Sequence, residues 1–168
     1  ARMDDADSHR GFDMLVGDGP ISVHIINTWP SNAIKVVTKK KLKPGKWQHV
    51  FATYDGSSKA KGVKSYVDGG VWDWKIEQNG LTDTIQTDKS LLIGSRHPGA
   101  RMKGIVDEVH VFARDLEQAE AKSLADALPI RALLAIDADV RSDEQQKAIR
   151  QYYLMAEHRE YQELQEKT

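Results

Sequence analysis

Through the first two-thirds of the chain, apolar residues recur at every second position in short runs, and turn residues separate the runs. Ile21 to Asn27 shows the pattern best. Ile21, Val23 and Ile25 fall on one face, and Ser22, His24 and Ile26 on the other. Side chains of an extended chain point alternately to opposite faces, so such a run predicts a β-strand. Phe12 to Val16, Ile34 to Thr38, Trp47 to Tyr54, Val63 to Val67, Val71 to Glu77, Leu91 to Ser95 and Gly104 to Phe112 complete the predicted set. Between them stand Asp18-Gly19-Pro20, Pro44-Gly45, Asp55-Gly56, Asp68-Gly69-Gly70, Asn79-Gly80 and Pro98-Gly99. These residues supply positive φ at little steric cost, or pre-set φ for a turn. Many short strands with tight turns predict an all-β fold, an antiparallel sandwich or barrel.

The period changes near residue 115. Leu116, Ala119, Leu124, Ala127 and Leu128 recur at helical spacing among charged residues, with Asp115 and Gln118 as a capping pair. Pro129 is expected to break this helix. A short apolar run, Ile130 to Ile136, follows. Ser142 with Gln145 then opens a second helix that places Ile149, Tyr152, Tyr153 and Ala156 on one face. From Glu157 onward the tail is polar apart from Tyr161 and Leu164, and reads as a solvated helix or the start of a coiled coil.

Composition narrows the function classes. The 168 residues hold 24 Lys and Arg against 25 Asp and Glu, a net charge of -1. A dedicated nucleic-acid or membrane-surface binder would carry a basic excess. Lys39-Lys40-Lys41 with Lys43 and Lys46 is a local basic cluster, read as a solvated loop without aromatic interleaving, so nucleic acid is not expected as a partner. Cysteine is absent, which excludes disulfides, thiolate catalysis and C-x-x-C-H haem attachment within this chain. No apolar stretch reaches membrane-spanning length. The chain opens on Ala1 rather than Met, which suggests a piece of a longer protein.

Trp47-Gln48-His49-Val50, Thr53-Tyr54-Asp55-Gly56 and Tyr66-Val67-Asp68-Gly69 together resemble the central block of laminin G-like, concanavalin A-like domains. Leu92-Ile93-Gly94-Ser95-Arg96 is similar to the next strand of that family, and Gly104 to Phe112 to its closing strand, with Leu116 entering the terminal helix. The resemblance covers residues 11 to 128. Three flanking segments look like the laminin G-like insert of large planctomycete proteins that also carry cytochrome c-like domains: Met3 to Asp7, Trp29 to Ala33, and Ile130 to Tyr153. The resemblance implies an antiparallel jelly-roll β-sandwich (concanavalin A-like) with a C-terminal helical segment. Residues 1–128 would form the sandwich with its terminal helix, and 129–168 a helical tail or linker towards a following domain. It also implies an extracytoplasmic, multidomain parent whose haem, if any, lies outside this chain. The family's opening strand is missing before Ala1, which would leave a strand edge unpaired. Glu117 stands where the family favours a Ser or Thr helix cap.

The residues offer few chemistries. Asp107 falls in the apolar row of Ile105, Val109 and Val111, where a lone carboxylate needs a partner or a proton. It would either ligate a structural calcium ion with Asp4, Asp5 or Asp7, which the resemblance supports, or bond to backbone N–H groups, Arg96 or Arg101. Glycoside hydrolysis needs two carboxylates on one face, about 5–9.5 Å apart. Asp107 and Glu108 are adjacent and point apart, and Asp73 and Glu77 on one strand would stand roughly 13 Å apart. The six histidines show no metal-binding spacing, and His49 is expected to be a satisfied core residue. Trp47 is expected in the core, and Trp72, Trp74 and Ile76 on one strand face. Trp29 sits in a loop with Asn32, as a sugar platform or as packing under its own loop. Trp29, Asn32, Arg96 and Arg101 are the ligand-binding candidates. The expected function is a non-catalytic module that binds a glycan or another protein domain. The alternative is a spacer that self-associates through the C-terminal helix.

Overall fold

The structure is a computed structural model. It describes every residue except 18, 97–100, 157, 160 and 162–168, and the side chains of 128, 155 and 156 are left out of the description. The turn expected at Pro98-Gly99 and most of the polar tail lie outside the described residues.

Among the described residues, eight strands form two antiparallel sheets. They are β1 (Arg2–Asp4), β2 (Arg10–Val16), β3 (Ile21–Thr28), β4 (Asn32–Thr38), β5 (Val50–Tyr54), β6 (Val63–Val67), β7 (Gly70–Trp72) and β8 (Trp74–Asn79). The larger sheet has the order β1-β2-β3-β4-β8 and the smaller β5-β6-β7. β1 covers the edge of β2, with Met3 opposite Gly11. The hairpin of β2 and β3 is in register from Gly11–Ile26 to Val16–Ile21. This register carries the alternation of the sequence into two faces. On one, Val23, Ile25, Ile34 and Val36 meet Ala52, Tyr54, Ala60 and Val63, with Leu81, Ile85 and Trp74 closing the core between the sheets. Such burial of apolar surface is the main stabilising term, about 25 cal/mol per Å². On the outer face, Met3, Ile26 and Ala33 form a smaller cluster beneath Ala1 and Trp29. β3 is therefore buried on both sides, as its pattern shows from Val23 to Asn27.

Several expectations are corrected. Val71 to Glu77 is two strands, not one. The chain crosses from the small sheet to the large one at Asp73, whose carbonyl accepts the Lys39 N–H at 3.0 Å. Trp72 and Trp74 thus belong to different sheets, and Ile76 is half exposed. Among the described residues Leu91 to Ser95 and Gly104 to Phe112 form no named strand: Ser95 bridges Arg101, and Leu92 exchanges two backbone hydrogen bonds with Ala1, at 2.7 and 2.8 Å. Each run is interrupted by a left-handed residue, Gly94 at φ +73° and Glu108 at φ +49°. At the second, Asp107 Oδ1 accepts the Glu108 N–H at 2.8 Å, a local bond that competes with strand pairing. Ile105 and Val111 consequently remain 77% and 67% exposed, while Phe112 rests edge-on against Phe51 of β5, with ring centroids 5.8 Å apart.

Helix α1 (Gln118–Leu134) begins later than Asp115 and runs through Pro129. The proline removes one backbone donor but does not end the helix here. Glu117 is the N-cap residue, and its N–H donates to the Glu120 carboxylate at 2.9 Å. The Arg114 guanidinium first, and that backbone contact second, hold the Glu120 carboxyl at about 2, far below the usual range. Leu116, Ala121 and Ala125 are buried, and α1 packs on β6. Helix α2 (Asp143–Ala156) opens with the predicted box: Ser142 N–H donates to Gln145 Oε1 at 2.9 Å, and Gln145 N–H to Ser142 Oγ at 3.3 Å. It packs on α1, with Ile149 and Tyr152 half-buried and Tyr153 53% exposed.

Candidate functional site

The outer face of the large sheet carries a polar row that crosses four strands. Asp13 on β2 faces His24 on β3, His24 faces Lys35 on β4, and Lys35 faces Gln78 on β8. Asp13 and His24 are deeply buried, at 3% and 5% exposure. His24 Nδ1 and Asp13 Oδ1 are 2.6 Å apart. A carboxylate in such a place needs compensation, because desolvation of a lone charge is costly. Arg96 supplies it from the strap that follows residue 81. Its Nε lies 3.0 Å from Asp13 Oδ2 while its N–H points to Met3 Sδ at 3.3 Å. The guanidinium therefore meets Asp13 Oδ2 by charge, without an aligned hydrogen bond.

Trp29 leans on this row from the β3–β4 hairpin. Its indole meets the His24 ring edge-on, centroids 5.8 Å apart at 75°, and Lys35 Nζ stands 5.8 Å from its centre. Lys35 also pairs with Glu77 Oε2 at 2.9 Å, and Lys75 with Glu77 Oε1 at 3.2 Å. Those two ammonium groups push the Glu77 carboxyl below its ordinary value.

The candidates from the sequence are thus only partly brought together. Trp29 and Arg96 meet the same Asp13–His24 pair. Asn32 does not offer its amide outward: Nδ2 donates to Thr82 Oγ1 (2.9 Å) and Asp83 Oδ2 (2.7 Å), and Oδ1 accepts the Thr82 N–H (2.9 Å). It ties the strap to the hairpin. Arg101 is exposed beside a shallow depression formed with Leu92, Ile93, Gly94, Ser95 and Met102. Asp107 is exposed and off any strand, and its Oδ1 accepts the Glu108 N–H rather than a bond from Arg96 or Arg101. Asp4 Oδ1 accepts the N–H groups of Ala6 and Asp7, and its Oδ2 faces Lys89 at 3.4 Å. Asp5 bonds to His9 at 2.9 Å and Asp7 to Arg10 at 2.7 Å. Among the described residues no three acidic or histidine side chains gather as a metal site.

Asp13, His24 and Lys35 were missed in the sequence. The signal was present: the turn between Val16 and Ile21 fixes a register that sets Asp13 opposite His24.

Two aromatic expectations also fail. Trp47 is 69% exposed, because β5 begins only at Val50 and leaves Trp47 in the preceding loop. His49 is half-buried, but its Nδ1 has no hydrogen-bond partner. It stacks on Phe51 with centroids 6.2 Å apart. Burial lowers its pKa below the usual 6.5, with Asp68 opposing and His110 assisting. The folded chain then binds fewer protons than the unfolded chain between the folded-state pKa and 6.5, so stability falls as pH drops through that window. Denaturant midpoints should decline from pH 7.5 to 5, and His49→Asn should flatten the decline. A midpoint that rises on acidification would contradict this assignment.

Two antiparallel sheets packed around a shared apolar core define a β-sandwich protein. The chain belongs to the concanavalin A-like lectin/glucanases superfamily, whose family model matches residues 2–122. Among solved structures it is similar to an S-layer domain-containing protein from Clostridium thermocellum (residues 221–444), at 19% identity and a TM-score of 0.41. That match covers 69% of this chain and 64% of the other. No curated protein matches. No helix among the described residues is long and apolar enough to cross a membrane.

Proposed function

We propose that the chain is a non-catalytic recognition module that binds a carbohydrate on the outer face of the large sheet, beside the Trp29 hairpin. The observation that carries the reading is Trp29 itself, a half-buried indole fixed against an ordered row of Asp13, His24, Lys35 and Arg96. An aromatic face takes the apolar side of a sugar ring, and neighbouring charged and hydrogen-bonding groups take its hydroxyls. Glycoside hydrolysis would need a carboxyl kept protonated near neutral pH. Glu77 is held in the opposite sense by Lys35 and Lys75. Arg101 lies on the exposed strap and would extend the surface. An extracytoplasmic, multidomain setting, implied by the laminin G-like resemblance, suits such a module.

Affinity electrophoresis through gels containing neutral polysaccharides tests this. The wild-type chain should be retarded by at least one of dextran, xylan or laminarin. Trp29→Ala should weaken retardation about tenfold, the value of roughly 1.4 kcal/mol of stacking. It should also lower the unfolding midpoint by only a few degrees. Trp29→Phe should keep the fold and part of the binding. Should a folded chain migrate freely through all three gels, the module would instead dock a protein. The uncovered apolar residues Ile93, Ile105, Val109 and Val111 favour that second reading.

A further inference from the structure

We propose that the loop between β4 and β5, residues 39–49, is a second binding surface, and that it takes an acidic polysaccharide bearing carboxylate or sulfate groups. The inference rests on the glycan reading above for its class of ligand alone, since the surface is a different one. β4 runs from the Trp29 hairpin to this loop, seven residues or about 20 Å away, so the two lie at opposite ends of the strand.

The charge is one-sided. No acidic residue occurs from Pro20 to Tyr54, while Lys35, Lys39, Lys40, Lys41, Lys43 and Lys46 all fall in that stretch. The whole chain carries -1, so this segment is a local reversal of sign. The last five of these lysines are exposed, and among the described residues none pairs with a carboxylate. Among the described residues the nearby acids are Asp68, whose Oδ1 accepts the His49 N–H at 2.9 Å, and Asp73, beside Trp72; in sequence, Asp18 directly precedes Gly19, whose carbonyl accepts the Leu42 N–H.

An aromatic group stands within the cluster. Trp47, adjacent to Lys46, is 69% exposed, and Lys40 Nζ stands 5.8 Å from the centre of the Trp72 ring. The exposure of Trp47 supplies the interleaving that the sequence pattern alone did not reveal. The exposed indole offers a ring face for stacking beside the lysine charges.

The loop backbone is also held. Lys39 N–H donates to Asp73 O (3.0 Å), Leu42 N–H to Gly19 O (2.7 Å), and Lys43 N–H to Gln48 Oε1 (2.6 Å), while Thr38 Oγ1 donates to Lys40 O (2.8 Å). A ligand then orders side chains only, which lowers the entropic cost of binding. The arrangement favours a sugar polymer over the other polyanions. Single-stranded nucleic acid would want several stacking rings in series, and here one ring is open while the second lies beneath Lys40. A lipid surface would want an apolar tip, whereas this turn presents Lys43, Pro44, Gly45 and Lys46.

The test uses the full chain, with polygalacturonate and dextran sulfate as acidic probes, and dextran, single-stranded DNA and phosphatidylglycerol vesicles as comparators. Binding to the acidic polysaccharides should appear at low salt and vanish near about 0.5 M salt. The triple variant K41E/K43E/K46E should weaken it about 30-fold or more, and Trp47→Ala about tenfold. Both variants should keep the wild-type unfolding midpoint, and Trp29→Ala should leave acidic-polymer binding unchanged. The proposal is overturned if neither acidic polysaccharide binds, if the triple variant binds as well as the wild type, or if DNA or vesicles bind as tightly. Acidic binding that is lost in the loop variants, with no neutral polysaccharide retained, would sink the Trp29 reading and leave this one standing.

Discussion

Replacement of Asp13 by alanine is expected to destabilise the chain by about 3 kcal/mol, the range seen when one partner of a buried charge pair is removed. The reason lies in what remains. His24, 5% exposed, loses the acceptor at its Nδ1, and Arg96 loses the carboxylate 3.0 Å from its Nε. Arg96 is 24% exposed at its side chain and recovers part of its solvation, which keeps the cost below that of a fully buried pair. For a chain of 168 residues the expected loss corresponds to roughly 6–12 °C in the unfolding midpoint. Asp13→Asn separates charge from hydrogen bonding. It keeps an acceptor for His24 but removes the charge facing Arg96, so it should cost about half as much. Equal costs for the two variants would mean that charge dominates. A cost under about 1 kcal/mol for Asp13→Ala would show that the row does not hold the face together. The same variant should weaken neutral-glycan retention, because Trp29 meets the ring that Asp13 orients.

How much of this was legible in the sequence depends on how local each signal is. Ile21 to Asn27 could be read as a strand because the side-chain period is local. Its burial on both faces could not, because that depends on the strand's central place in the order β1-β2-β3-β4-β8. The split at Asp73 was hidden for a related reason. Val71 to Glu77 alternates without a break, and only the crossing between sheets divides it. Gly104 to Phe112 shows the reverse failure. Its alternation is regular, yet the Asp107 side chain captures the next N–H and turns the backbone at Glu108. The reading of Asp107 as a carboxylate in an apolar strand row fell with that strand, because the residue stands exposed. Trp29 and Arg96 were found as residue types, but Asp13 and His24, which join them, needed the hairpin register. Trp47 was expected in the core from its position in the family framework that the chain resembles, but β5 begins only at Val50 and leaves it in the preceding loop.

Gly11→Ala is expected to have the second large effect, again about 3 kcal/mol, though it removes no contact. Gly11 has φ +130°, a conformation that costs an L-residue about 1–3 kcal/mol. A Cβ there would also run into the Arg2 carbonyl group and approach the Met3 Cα at 3.0 Å, which are backbone atoms that cannot rotate away. Strand β1 must then lift from β2. That uncovers Met3, Ile26 and Ala33, and takes from Arg96 the Met3 sulfur to which its N–H points. The loss should therefore appear as faster amide exchange in Arg10 to Val16 before global unfolding, together with weaker retention on the glycan gel. Gly17→Ala is the control. Its φ is not positive and no atom lies within 4 Å of the added Cβ, so it should change stability by less than about 0.5 kcal/mol. If both variants behave alike, β1 does not close the edge of the large sheet. If only Gly11→Ala loosens the strand yet binding is intact, the recognition face does not depend on Met3 and Arg96 and must lie nearer to Lys35 and Trp29.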